Sequence, residues 1–131
     1  MLSLHHPVRV FLHTLPTDLR KGFDGLSGLV TSAFSQDPTS GHLFLFVNRR
    51  RDRLKILYWD RDGLAIWYKR LETGSFQLPA AAREAASIEM SPTQLALILS
   101  GIDLQSARQR KRYQRPTLED ENRPVHSCNT G

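Results

Sequence analysis

Five of the eight residues at positions 48–55 are basic: Arg49, Arg50, Arg51, Arg53 and Lys55. Fixed positive charge at that density suits phosphate, whose oxygens accept charge-assisted hydrogen bonds. The chain then turns apolar and aromatic through Ile56, Leu57, Tyr58 and Trp59, and reaches Asp60-Arg61-Asp62-Gly63, a turn signal. That order predicts a charged loop mounted on a β-hairpin, not a charge run in a free tail. Lys69 and Arg70 on the next strand, with Arg20 and Lys21 near the start, complete the candidate DNA-binding set. Two competing readings accompany it. The arginines could instead pair with Asp52, Asp60, Asp62 and Glu72, and Trp59 and Trp67 could fill the core instead of stacking on bases.

Catalytic chemistry has weaker support. Polynucleotidyl transfer uses carboxylates to hold two Mg²⁺ ions. Asp52, Asp60 and Asp62 stand in turns, where Asp is an ordinary turn former, and each lies beside an arginine that competes with a metal for it. His5 and His6 are adjacent, so on an extended chain they point apart. His13, His42 and His126 are scattered, and neither a nucleophile elbow nor a phosphate-binding glycine loop is present. The sequence therefore predicts no catalytic residue, no metal site and no cofactor.

The elements that must position the basic residues follow from periodicity. Residues 8–12 are apolar and β-branched and read as a strand. Thr17-Asp18 offers a helix start, with Thr as cap and Asp in the first turn. Leu19, Phe23, Leu26, Leu29, Val30, Ala33 and Phe34 then recur at helical spacing. Gly22, Gly25 and Gly28 fall three apart, each at a cost of roughly 1 kcal/mol in a helix interior. They imply either close packing of this helix on a sheet or an irregular start around Arg20-Lys21-Gly22 whose amides could hold a phosphate.

After a loop at residues 37–41 the chain reads as β: strands at 42–47, 53–59 and 64–71, and a short fourth at 75–78. Connections this short force antiparallel neighbours, hence a meander. Alternation puts Leu54, Ile56 and Tyr58 on one face of the second of these strands, and Leu64, Ile66 and Tyr68 on one face of the third. These six are expected to form one aliphatic face against the helix at 18–34, leaving Trp59, Trp67 and the basic residues opposite. Residues 79–86 are Ala-rich, loop or short helix. Ser91-Pro92 then opens a second helix carrying Leu95, Ile98, Leu99 and Ile102.

The predicted fold is α+β: an antiparallel β-meander of four to five strands packed against one long and one shorter helix. Residues 1–104 form one domain. Residues 105–131 form a disordered, basic and polar C-terminal tail without hydrophobic periodicity. Of 131 residues, 40% are hydrophobic, enough for a core, and the net charge of +5 makes a polyanion a reasonable partner. Cys128 is the single cysteine, so no internal disulfide is available and a reducing, cytoplasmic setting is expected. The N-terminus lacks a signal-peptide pattern, and the longest apolar run, residues 43–47, is too short for a membrane span.

Two blocks of sequence resemble a known family. Thr17-Asp18-Leu19-Arg20-Lys21-Gly22-Phe23-Asp24-Gly25-Leu26 is one, and residues 46–63 are the other. Trp67-Tyr68-Lys69-Arg70-Leu71-Glu72 and residues 97–104 continue the likeness. The family is that of the second-reading-frame accessory proteins, TnpB, of the sixty-six family of bacterial insertion sequences. The resemblance covers residues 5–105 and not the tail, and it departs at Gln77-Leu78-Pro79, where an aromatic is expected before the proline. It implies an accessory factor for DNA transposition that works beside a separate transposase bearing the acidic catalytic triad. Three functions are weighed: a DNA-binding accessory subunit on the bacterial nucleoid, a protein–protein adaptor docked on the transposase, and, last, a nuclease using Asp18, Asp24, Asp60 or Asp62. Self-association is left open by the sequence.

Overall fold

A strand whose side chains are apolar on both faces belongs in the middle of a sheet, and the Leu-Phe-Leu-Phe-Val run at 43–47 is such a strand. The computed structural model describes residues 7–100. Its elements are β1 (Val10–His13), α1 (Phe23–Phe34), β2 (Leu43–Val47), β3 (Arg53–Asp60), β4 (Gly63–Arg70), a 3₁₀ turn (Ala80–Arg83), β5 (Ser87–Met90) and α2 (Pro92–Ser100). The five strands form one sheet in the order β4-β3-β2-β1-β5, with β2 in the centre. The meander β2-β3-β4 is antiparallel as expected, but β1 pairs with β2 in parallel through the crossover that contains α1. The sheet is therefore mixed, within an α+β fold. The predicted tail, residues 105–131, and the first six residues lie outside the described residues.

Each face of the sheet carries its own core. On one, Phe11, Phe44, Phe46 and Leu57 meet Leu26, Val30 and Phe34 of α1. Phe11 stacks on Phe44 with centroids 5.5 Å apart, and Phe34 tilts over Phe44 at 5.5 Å. Such ring pairs add about 0.5–1.5 kcal/mol each to the area they bury. On the other face, Val10, Leu12, Leu45, Leu54 and Ile56 meet Phe76, Met90 and the α2 residues Leu95 and Ile98. Helix α2 begins as its sequence suggests: Ser91 Oγ accepts the Gln94 amide at 3.1 Å, and Gln94 Oε1 accepts the Ser91 amide at 3.0 Å, a reciprocal capping box.

Four expectations are corrected. First, Leu54, Ile56 and Tyr58 do not share a face with Leu64, Ile66 and Tyr68. The β3–β4 turn has two residues between Asp60 and Gly63, so every cross-strand pair joins an even position to an odd one, for example Leu57 to Ile66 and Ile56 to Trp67. The α1 face of the hairpin therefore carries Arg53, Lys55, Leu57 and Trp59 with Leu64, Ile66, Tyr68 and Arg70, while Trp67 and Lys69 lie on the α2 face. Second, α1 starts at Phe23, not at Asp18, and Thr17 is a buried anchor whose amide donates to the Val47 carbonyl at 2.8 Å. Third, Gly22, Gly25 and Gly28 are exposed, so they do not seat the helix on the sheet. A Cβ on Gly25 would meet the Lys21 side chain at 3.1 Å, so this glycine makes room for the lysine stem. Fourth, residues 75–78 form no strand. The fifth strand is instead β5, at the opposite edge of the sheet beside β1, whose Ile88 and Met90 alternate with exposed Glu89.

His13 ends β1 on the α1 face, against Phe34 and Phe46, with its Nδ1 buried and unpartnered. Burial lowers its pKa below the ordinary value of 6.5. The unfolded chain then takes up the proton first, so His13 gives full stability above about pH 6.5 and loses it as pH falls. Urea unfolding at about pH 7.5 and about pH 5.5 checks this: the midpoint drops more in the wild type than in His13→Leu, which has no proton to gain at that position.

Candidate nucleic-acid interface

The β2–β3 loop is closed from inside by one side chain. Asn48 Oδ1 accepts the amides of Asp52 and Arg53, both at 3.1 Å, and Asn48 Nδ2 donates to Asp52 Oδ1 at 2.7 Å. An asparagine that holds its own turn in this way fixes the path of the residues between. The backbone is pinned from outside as well. Phe76 donates to the Arg51 carbonyl and Leu71 to the Asp52 carbonyl, both at 2.7 Å. Arg51 takes a left-handed conformation at φ 60°. Arg49, Arg50 and Arg51 thus project from a braced loop, exposed to solvent. Asp52 is a partner of Asn48, which supports its reading as a turn residue.

Residues 17–22 run alongside this loop. Asp18 receives Arg20 Nε at 3.0 Å, Arg20 Nη2 at 2.8 Å and the Arg20 amide at 3.0 Å. The Arg20 side chain, and then its amide, hold the Asp18 carboxyl well below the usual carboxylate range. The Lys21 carbonyl accepts Lys55 Nζ at 3.0 Å, which ties the segment to β3. The expectation of an irregular start around Arg20-Lys21-Gly22 matches this path. The Arg20 and Lys21 amides are, however, already taken by Asp18, through its carboxylate and its carbonyl.

Between the segment and the loop lies a hollow of about 400 Å³, lined by Thr17, Asp18, Arg20, Asn48, Arg50, Asp52, Arg53 and Tyr68. A second hollow adjoins it and shares Arg53 and Tyr68, adding Arg70 and Glu72. Arg53 and Arg70 are cross-strand partners, a like-charge pairing that costs stability unless an anion offsets it. Arg70 has Glu72 at 3.1 Å. Among the described residues Arg49, Arg50, Arg51 and Arg53 enter no ion pair. Tyr68 stands between the two hollows, its ring under Lys55 Nζ at 4.9 Å and its hydroxyl accepting Arg53 Nη1 at 3.4 Å.

All nine residues expected to bind DNA lie at this end of the sheet or on the segment beside it, but Lys69, paired with Leu54, is on the opposite face from Arg53, Lys55 and Arg70. The two tryptophans also separate. Trp59 is half-buried on the α1 face with its Nε1 donating to the Arg61 carbonyl at 3.1 Å, whereas Trp67 is exposed on the α2 face, so they form no shared stacking surface. The carboxylates weighed for metal binding divide between the two ends of β3: Asp18 and Asp52 at its start, Asp60 and Asp62 at its end, roughly 25 Å away for eight residues of strand. Sequence reasoning missed Asn48 and Tyr68. The Asn-x-x-x-Asp spacing was a usable signal for the first, and correct cross-strand parity would have found the second beside Arg53.

A family model described as IS66 Orf2-like protein matches residues 8–109. The uncharacterized protein y4jC of Sinorhizobium fredii is 37% identical over 117 residues, 89% of this chain and 97% of that protein. The uncharacterized protein y4hO of the same organism is 40% identical over 103 residues, 79% of this chain and 88% of that protein. No solved structure matches the chain.

Asn48 sets the loop, so its removal should be felt in stability. Asn48→Ala leaves two amides and the Asp52 carboxylate without their partner and is expected to cost about 1–3 kcal/mol in urea unfolding. Arg49→Ala, at the exposed tip, should stay within about 0.5 kcal/mol of wild type in the same measurement.

Proposed function

The chain belongs to the IS66 Orf2-like family, and on that premise we propose that it is a non-catalytic accessory factor for transposition of an insertion sequence, binding DNA and assisting a separate transposase. The observation that carries the DNA reading is the braced loop. Arg49, Arg50 and Arg51 project from a backbone fixed by Asn48, Leu71 and Phe76, with no counter-ion among the described residues. Charge held this way has already lost much of its conformational freedom, so contact with a phosphate costs less entropy than it would from a free tail. Arg53 and Arg70 continue the positive surface along the hairpin, and Arg20 borders it. Lys55 acts mainly as a tether through the Lys21 carbonyl. Lys69 is left out of this surface by its face.

Phosphate contacts of this kind fix register and orientation without reading sequence. The element's ends would then be selected by the transposase, or by both proteins together, while this subunit supplies affinity. A subunit so used works where the element lies, on the bacterial nucleoid. No helix among the described residues is long and apolar enough to cross a membrane.

Salt dependence provides the test. Binding to a duplex carrying the element's terminal repeats is titrated at several salt concentrations, for wild type and for the variant with Arg49, Arg50 and Arg51 all changed to Ala. Each lost phosphate contact flattens the log–log slope by about 0.9, so the triple variant should bind more weakly with a slope lower by up to about 3. Equal affinity and equal slope would overturn the reading. Co-purification with the transposase without any DNA binding at low salt would instead make the loop a docking surface for an acidic protein.

A further inference from the structure

A surface that meets only the duplex backbone needs cations and little else, yet the paired hollows beside the arginine loop contain more. Tyr68 is an aromatic ring 47% exposed at the junction of the two hollows. Lys55, its cross-strand partner, covers the ring from the β3 side at 4.9 Å. On the other side no strand follows among the described residues, because β4 is the edge of their sheet. One face of the ring is therefore held by an ammonium, and the exposure of Tyr68 leaves the ring accessible from the edge. The Arg53 guanidinium donates to the Tyr68 hydroxyl at 3.4 Å and limits how the ring can turn. Around it stand the cations Arg50, Arg53 and Arg70, and the carboxylates of Asp18 and Asp52.

We infer that this hollow is a site for an unpaired nucleotide of single-stranded DNA, with the base stacked on the accessible ring of Tyr68. The inference rests on the DNA-binding reading above and specifies its substrate. Each part of a nucleotide finds a matching group. An aromatic ring offers stacking to any base. Arg50 and Arg53 suit the flanking phosphates. The carboxylates, unfavourable beside a phosphate, suit the N–H donors on base edges, exocyclic amines and the ring N3–H of thymine alike. Size points the same way, since about 400 Å³ lies at the lower end of small-molecule sites and cannot admit a double helix. In a duplex both π-faces of a base are covered by its neighbours, so only a melted or cleaved end presents the face that Tyr68 could use.

The test compares oligo-dT with a duplex of equal length, using full-length wild type, Tyr68→Ala, Tyr68→Leu, Tyr68→Phe and the triple arginine variant. Loss of one base stack should weaken oligo-dT binding roughly tenfold or more in Tyr68→Ala. Tyr68→Leu, which keeps apolar bulk on the strand without a π-face, should lose as much, and Tyr68→Phe should bind like wild type. Duplex affinity of the three Tyr68 variants should stay within about twofold of wild type, while the arginine variant weakens both ligands. Wild-type affinity for oligo-dT in Tyr68→Leu, or equal losses on single strand and duplex, would overturn the inference while leaving duplex binding through the arginines intact. Tighter binding of oligo-U than of oligo-dT would overturn it in favour of RNA. Failure of the wild type to bind either DNA would sink the DNA-binding reading itself.

Discussion

The closure of the β2–β3 loop by Asn48 is the constraint on which the arrangement of charge depends. Three consecutive arginines repel one another and, left free, would spread into solvent. A single carboxamide that accepts two amides and donates to Asp52 prevents this, because it fixes the loop ends before the arginines are placed. The neighbouring chain then adds to the same corner. Thr17 joins Val47 just before the loop, Leu71 joins Asp52 at its end, and Phe76, buried in the α2-side core, holds the Arg51 carbonyl. The left-handed Arg51 is held at both its backbone polar groups, its amide donating to the Asn48 carbonyl at 3.0 Å and its carbonyl accepting from Phe76. Without the Asn48 closure these contacts would meet a moving target, and the hollow bordered by Arg50 and Arg53 would lose one wall.

Topology explains why residues far apart in sequence meet there. β1 and β2 are parallel neighbours, so the chain leaves both of them at the same end of the sheet. The first exit becomes residues 14–22 on the way to α1, and the second becomes the arginine loop. Two segments leaving adjacent parallel strands at one end must lie side by side, which is the general reason that crevices at carboxyl ends of strands collect ligand sites. Lys55 then crosses from β3 to the Lys21 carbonyl, so the crevice is closed on its sheet side by a charge-assisted hydrogen bond.

Much of this was legible from residue types. The α+β class, the meander, the second helix with its Ser91 cap and the loop with its arginines all follow from alternation and turn chemistry. What escaped depends on quantities that residue type does not carry. The face assignment failed on parity: a two-residue turn pairs even with odd, so Tyr68 joins Arg53 and Lys55, and Lys69 leaves them. The helix start failed because Thr17-Asp18 is a plausible cap in isolation, whereas a backbone bond to Val47 and the pairing of Asp18 with Arg20 commit it to a loop. β5 was hidden by brevity, since four residues of alternation after an Ala-rich stretch give too little signal to distinguish a strand from a loop.

The internal pairing of the acidic residues bears on what the crevice can hold. A carboxylate beside an anion site ordinarily weakens it, and two of them line this one. Yet Asp18 is paired with Arg20, and Asp52, which keeps its charge, is turned toward the Asn48 amide, so both carboxylates are held in place by the protein itself. Arg70, opposed to Arg53 across the strands, has Glu72 as its counter-ion, while Arg50 and Arg53 have none among the described residues, and each carboxylate keeps acceptor positions for a further donor. Such a crevice is poorly suited to a bare metal ion, which needs open carboxylates, and better suited to a ligand with an anionic edge and a flat apolar face. A nucleotide has both, and that combination separates this corner of the sheet from the rest of the basic surface.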